Sequence, residues 1–147
     1  MKKRIVIWSK KLLLAFIVAL IWMLIAHKEY SYNRNFASVF GINLFPLIAW
    51  TFSLLVMYII YFHFERFLKN KTFLKKLLLF VAIYWPLLIF FETIFYHLFN
   101  LKNLATASYS GLPICNCLHA PHWMQLAYFL LGPIYFLLVM LLEKIKK

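Results

Sequence analysis

The sequence predicts an all-α integral membrane protein, a four-transmembrane-helix bundle whose N and C termini are cytoplasmic. Three observations support this prediction: a hydrophobic content of 65%, four long apolar runs, and basic residues concentrated on one side of the resulting layout. Such a composition is far from that of an ordinary soluble domain. The apolar runs cover residues 8–26, 44–64, 77–99 and 123–142. Each is close to the roughly 20 residues that cross a hydrocarbon core of about 30 Å.

The basic residues predict which way the chain crosses the membrane. Thirteen of the 16 Lys and Arg residues belong to the two tails and to the loop between the second and third runs. They are Lys2, Lys3, Arg4, Lys10, Lys11, Arg66, Lys69, Lys71, Lys75, Lys76, Lys144, Lys146 and Lys147. The other two loops contain only Lys28, Arg34 and Lys102. Short loops rich in Lys and Arg stay cytoplasmic, so both termini are predicted to be inside. For a bacterial cell this indicates the inner membrane.

The net charge of +12 predicts contact with anionic lipid rather than with nucleic acid. The basic residues flank the ends of apolar runs, and a chain of 147 residues leaves no room for a separate soluble domain. Basic residues beside a membrane span attract the anionic headgroups of the cytoplasmic leaflet. We therefore expect the lipid bilayer as a partner and exclude nucleic acid.

The first run follows a basic start, as in a secretory signal. It ends without a small-x-small cleavage site, so we expect an uncleaved first helix that also anchors the chain. Ala15, Ala19, Trp22 and Ala26 are three or four residues apart and share one helix face. Small residues on such a face allow a neighbouring helix to approach closely. The alternative is that alanine is simply common.

The remaining runs predict helices with proline at informative positions. Pro46 lies near the start of the second helix, where a missing N–H costs little. Pro86 follows Trp85 inside the third helix, and Pro133 follows Gly132 inside the fourth. A proline inside a helix removes a backbone hydrogen bond and predicts a kink. Two kinked helices can open a cavity between them or pack together without one, and we favour close packing.

Residues 100–122 are predicted to form an extracytoplasmic loop rich in Cys and His. Cys115, Cys117, His119 and His122 fall within this one segment. Thiolate and imidazole ligands together suit Zn or Cu ions. A disulfide between the two cysteines is the first alternative, because extracytoplasmic compartments are oxidising. No special role for any of the four is the second, and all three readings stay open.

Glu92 is the only acidic residue inside an apolar run. An ionised carboxylate in lipid costs roughly 2.5–3.5 kcal/mol on insertion scales, so such residues usually face the bundle interior. Tyr96 lies on the same helix face and His97 on the adjacent one. Glu92, Tyr96 and His97 therefore form a candidate intramembrane polar site. A purely structural carboxyl, hydrogen-bonded to Tyr96 or to another helix, is the alternative.

Two functions agree with these features, and the sequence does not decide whether the protein is an enzyme. The first is an accessory or assembly subunit that packs against another membrane protein or forms a homo-oligomer. The second is a thiol-redox or metal-handling protein that uses Cys115 and Cys117 with His119, His122 and Glu92. The layout resembles that of four-helix disulfide oxidases that pass electrons to quinone. Those proteins need a second outward cysteine pair and favour a C-x-x-C spacing, whereas this chain has two cysteines in a C-x-C arrangement.

Overall fold

The structure is a computed structural model that describes residues 2–69 and 72–144. It is a bundle of four long helices: α1 (Lys2–Ala26), α2 (Leu44–Phe64), α3 (Phe73–Thr93) and α4 (His122–Lys144). All four are long and apolar enough to cross a membrane. This confirms the predicted all-α fold with four candidate membrane-spanning helices and indicates a membrane protein. Of the basic residues behind the sidedness prediction, Lys71, Lys146 and Lys147 lie outside the described residues.

The short elements lie between the long helices. A π-helical turn at Ile94–Leu98 continues α3, and 3-10 turns follow α1 at His27–Glu29 and α2 at Glu65–Phe67. The two-residue strands β1 (Ser38–Val39) and β2 (Ile42–Asn43) pair antiparallel. The Asn43 side chain then accepts a hydrogen bond from the Phe45 N–H and caps the start of α2.

The helices form a ring in which α1 and α3 each pack against α2 and α4. The chain runs up and down, so the segments 27–43 and 99–121 meet at one end, called the distal end below. The start of α1, the turn after α2 and the end of α4 form the opposite, proximal end. Ala15, Ala19 and Ala26 are fully buried, as their spacing on one face of α1 predicts.

Lys11 departs from the sequence prediction, which placed it in a basic tail. It belongs to α1 and is only 2% exposed. Its Nζ lies 2.7 Å from Glu143 Oε1 and donates to the Tyr58 hydroxyl over 3.2 Å. The same nitrogen is 4.4 Å from the centre of the Tyr58 ring and 4.7 Å from that of Trp8. A carboxylate and aromatic faces together compensate the buried charge.

Both helices with an internal proline remain continuous through it. At Gly132 the ring of Tyr84 packs so closely that an added Cβ would lie 2.5 Å from its carbons. Pro133 has no N–H to donate to the carbonyl of Phe129, and the Trp85 indole N–H donates to that carbonyl instead over 3.0 Å. α3 and α4 are therefore in direct contact at the proline of α4, as close packing requires.

Candidate functional site

The two distal segments are tied together by backbone and amide hydrogen bonds. Asn33 N–H donates to the Lys102 carbonyl, and Lys102 N–H donates to Asn33 Oδ1, each over 3.0 Å. The side-chain amide of Asn103 donates to the carbonyl of Glu29 over 2.6 Å and accepts from Ser31 N–H over 3.0 Å. Because an amide side chain both donates and accepts, Asn103 satisfies backbone groups of the facing segment in the manner of a strand.

A cavity of about 110 Å³ lies beneath these segments, between the distal halves of α2 and α3. Phe45, Ala49, Trp50 and Ser53 line it from α2 at helical spacing. Leu88, Phe91, Glu92, Phe95 and Tyr96 line it from α3 and the π-helical turn. Since a water molecule occupies about 30 Å³ in the liquid, the cavity has room for a small organic group.

Glu92 lines this cavity and is half-buried. Within residues 2–69 and 72–144, no hydrogen bond or ion pair reaches its carboxyl group, and both ion pairs found there involve other glutamates. A carboxyl group in an apolar segment is costly without a partner. Its capacity to accept hydrogen bonds or to pair with a cation is therefore available to whatever enters the cavity.

A hydrogen-bonded network of Trp and Tyr forms the wall opposite Glu92's helix. The indole N–H groups of Trp22 and Trp50 donate to the Tyr30 hydroxyl oxygen over 2.8 and 3.2 Å. Both lone pairs of that oxygen are then used, so its own hydrogen points to the Tyr128 hydroxyl at 2.9 Å. Tyr30, Trp50 and Tyr128 also line the cavity. Burial raises the pKa of Tyr30 well above its ordinary value, which keeps this phenol neutral.

The distal segment after α3 contributes His119 to the cavity wall on the side of Tyr96. Its ring stacks on that of Tyr96, with centroids 4.8 Å apart and planes 21° from parallel. His119 Nδ1 lies 2.8 Å from the Tyr109 carbonyl oxygen, and Nε2 lies 3.2 Å from that of Asn116. The imidazole therefore holds its own loop together while its face covers Tyr96.

Cys115 and Cys117 are joined by a disulfide. Cys117 is buried beside α3, where the Thr93 hydroxyl lies 3.7 Å from its sulfur, and Cys115 is half-buried. His97 Nε2 lies 2.9 Å from the Cys115 carbonyl oxygen. Asn116, between the two cysteines, has a positive φ of 45°, a backbone conformation that asparagine tolerates better than most residues. The disulfide loop is thus fixed against the distal end of α3.

The predicted site residues separate into two groups. Glu92 and Tyr96 both line the cavity, and His119 joins them. His97 is exposed and contacts the disulfide loop instead, while His122 is exposed at the first turn of α4. Among the described residues, no three His, Cys, Asp or Glu side chains are grouped so as to hold a metal ion.

Sequence reasoning missed three members of the cavity wall, Tyr30, Trp50 and Tyr128. Aromatic residues near helix ends are typical of membrane interfaces, and that explanation hid their role. Their spacing carries a weak signal, because Trp50 lies on the α2 face that also presents Pro46 and Ser53. Nothing in the sequence pairs Tyr30 with Tyr128, which are 98 residues apart.

Comparison with protein-family models, with curated proteins and with solved structures gives no match to this chain.

Proposed function

We propose that this protein is an accessory or assembly subunit of a larger membrane complex and that it binds a small ligand in its distal cavity. The observation behind this proposal is the Glu92 carboxyl group, which has no partner in the described residues and lies in the wall of a cavity of about 110 Å³. A carboxyl group that serves only structure within an apolar helix is normally hydrogen-bonded. The surrounding side chains offer rings and hydroxyl groups that can orient a ligand.

The proposal includes the sidedness that the basic residues predict. With both termini in the cytoplasm, the distal segments 27–43 and 99–121 are extracytoplasmic, and in a bacterium the membrane is the inner one. An oxidising compartment is also where the disulfide between Cys115 and Cys117 would form. The cavity would then lie in the outer half of the bilayer.

A lateral partner belongs to the same proposal. α3 is the most exposed of the four helices, with only 17% of its most apolar segment buried inside the bundle. Phe90 and Trp85 are exposed on it, and aromatic side chains supply much contact area in an interface. We propose that α3 packs against another membrane protein or a second copy of this chain, with lipid covering the other helices.

A cavity-filling substitution tests ligand binding. Ala49→Phe places a ring in the cavity, whereas Ile48→Phe adds the same ring on a neighbouring, exposed position of α2. Native mass spectrometry of protein extracted from its membrane should detect a bound small molecule on the wild type and on Ile48→Phe. The same molecule should be absent from Ala49→Phe. An identical mass pattern for all three proteins would refute the proposal.

Thiol-redox or metal chemistry is a second candidate, favoured by the half-buried position of Cys115 near His97. In a redox function the disulfide exchanges with a partner dithiol: the partner loses two electrons and two protons and becomes a disulfide, and Cys115 and Cys117 become a dithiol. In a metal function, the reduced thiolates with His119 or His122 would be the ligands of Zn or Cu. Thiol labelling of membranes, with and without prior reduction, tests both. A fraction labelled without reductant would support a redox or metal function, whereas labelling only after reduction favours a structural bridge.

A further inference from the structure

We infer that the ligand of the distal cavity is an organic cation, an ammonium group carrying small alkyl substituents. In this inference, which rests on the proposed function, Glu92 is the counter-ion and the surrounding rings form an aromatic cage. Aromatic cages are a recurrent way of binding quaternary ammonium groups, because the negative face of each ring attracts the cation. Four observations support this class of ligand: the acidic group in the cavity, the Trp and Tyr rings around it, a similar arrangement around Lys11 at the proximal end, and the volume of the cavity.

Glu92 gives the cavity an acidic group that forms no ion pair among the described residues. Glu92 is its only acidic lining residue among the described residues, and no Lys or Arg lines it. The ammonium of Lys102 lies 5.5 Å from the centre of the Tyr96 ring, yet it forms no ion pair with Glu92. A cationic ligand would supply the missing charge partner, whereas an anion would be repelled.

The rings around the carboxyl are of the types that bind cations best. Trp50 and Tyr128 lie with centroids 5.0 Å apart, and Tyr30 stacks on Tyr32 with centroids 6.2 Å apart. Trp and Tyr are the strongest cation–π partners among the side chains. Burial raises the pKa of both Tyr30 and Tyr32 well above the ordinary value, so neither phenol supplies a competing negative charge.

The proximal end of the same chain already contains this arrangement with a cation in it. There the ammonium of Lys11 lies 2.7 Å from a Glu143 oxygen, against the faces of Tyr58 and Trp8. The distal cavity has the same set of groups, a glutamate with tryptophan and tyrosine rings, and no lysine. A cationic ligand would supply at the distal end the positive charge that Lys11 supplies at the proximal end.

The size of the cavity limits the ligand. An engineered cavity of about 150 Å³ accommodates benzene, so a space of about 110 Å³ suits one small headgroup rather than a bulky aromatic cation. A trimethylammonium group, as in choline, has fewer heavy atoms than benzene and suits this space. It can come from a free amine or from the headgroup of a lipid, and the chemistry of recognition is the same for both.

Isothermal titration of the full chain in a detergent without choline headgroups tests the inference with a matched pair of probes. Choline carries the charged nitrogen, and 3,3-dimethylbutan-1-ol replaces that nitrogen by carbon while keeping the shape. We expect choline to bind at least about tenfold more tightly than the neutral analogue, since a desolvated cation–π contact adds to the charge pair.

Four variants assign the binding to the named groups. Glu92→Gln keeps the shape of the side chain and should weaken choline binding by about tenfold or more, whereas Glu65→Gln removes a carboxyl group at the proximal end and should not. Tyr32→Leu removes a ring of the cavity wall and should weaken binding, whereas Tyr32→Phe keeps the ring and should retain it. Thermal unfolding of each variant shows whether a loss reflects misfolding.

The source of the headgroup is separated by the lipid. In nanodiscs of phosphatidylglycerol, which has no choline headgroup, added choline should bind whether the natural ligand is a lipid headgroup or a free amine. In nanodiscs of phosphatidylcholine, loss of that binding identifies the lipid headgroup as the ligand, and unchanged binding identifies a free amine.

Three outcomes overturn the inference: no binding of choline, equal affinity for the neutral analogue, or full affinity in Glu92→Gln. The proposed function is tested separately, by the comparison of Ala49→Phe with Ile48→Phe. If Ala49→Phe still abolishes a bound molecule that Ile48→Phe retains, the cavity binds a ligand of another class. If Ala49→Phe changes nothing either, both proposals fail.

Discussion

Single residues in this chain show how a charge is accommodated inside an apolar bundle. Lys11 is buried and satisfied by Glu143, Tyr58 and Trp8, whereas Glu92 has no partner in the described part of the chain. Both are polar exceptions in apolar helices, and both lie among aromatic rings. Because Lys11 has its partners within the bundle and Glu92 does not, we assign a structural role to Lys11 and a binding role to Glu92.

The asymmetry of the Lys11–Glu143 pair gives a testable difference in stability. The Lys11 side chain is 3% exposed and that of Glu143 is 42% exposed. Removing the carboxyl in Glu143→Ala leaves a buried ammonium without its counter-ion. Lys11→Met leaves a carboxylate that water can reach. We expect Glu143→Ala to lower the free energy of unfolding by about 1–3 kcal/mol, and by more than Lys11→Met does.

Denaturant unfolding in detergent, followed by tryptophan fluorescence, measures this difference. Glu29→Ala is the matched control, because Glu29 lies at the distal end and forms no ion pair among the described residues. Equal losses for Glu143→Ala and Lys11→Met would show that the carboxylate does not hold the buried charge.

At the scale of elements, close contacts position the cavity walls. α3 and α4 meet where the ring of Tyr84 covers Gly132, and the Tyr84 hydroxyl donates to the backbone carbonyl of Tyr128. The Tyr128 side chain lines the cavity. The contact at Gly132 therefore fixes the helix segment that presents Tyr128.

Gly132→Ala should destabilise the bundle, because its Cβ would overlap the carbons of the Tyr84 ring, which is fully buried and cannot move aside. Overpacking of this kind costs about 1–3 kcal/mol. In a double-mutant cycle with Tyr84→Leu, the loss of stability in the double variant should be smaller than the sum of the two single losses. Thermal midpoints in detergent measure the cycle, and strict additivity would show that the two residues do not share a contact.

The distal segments depend on Asn103 in a similar way. Asn103→Ala removes the bonds to Glu29 and Ser31 and leaves their backbone groups unsatisfied. We expect faster amide hydrogen exchange in residues 29–34 and 99–104, with the exchange of α1 to α4 unchanged. Asn35→Ala is the matched control at an exposed position. Equal exchange in both variants would mean that other bonds hold the segments together.

At the scale of the whole molecule, the sequence predicts the helices but not the contacts between distant segments. The four helices follow from apolar runs, which depend only on local composition. Glu92 can be singled out from the sequence because it is the one acidic residue in such a run. The cavity could not be predicted, because it forms between α2, α3 and two loops whose contacts join residues such as Asn33 and Lys102, nearly half of the chain apart. The burial of Lys11 could not be predicted either, since its partner Glu143 lies at the other end of the sequence.

Sidedness is the prediction that concerns the molecule as a whole, because it decides which compartment reaches the cavity. The native cysteines are joined to each other, so a new cysteine is the free thiol in each labelled variant. Ser108→Cys places it on an exposed distal position, and Lys69→Cys places it on an exposed proximal one. With both termini in the cytoplasm, a membrane-impermeant maleimide should label Ser108→Cys in intact cells. Lys69→Cys should react only after the membrane is opened. The reverse pattern would place the Glu92 cavity on the cytoplasmic side, where the ligand would have to be an intracellular amine or an inner-leaflet headgroup.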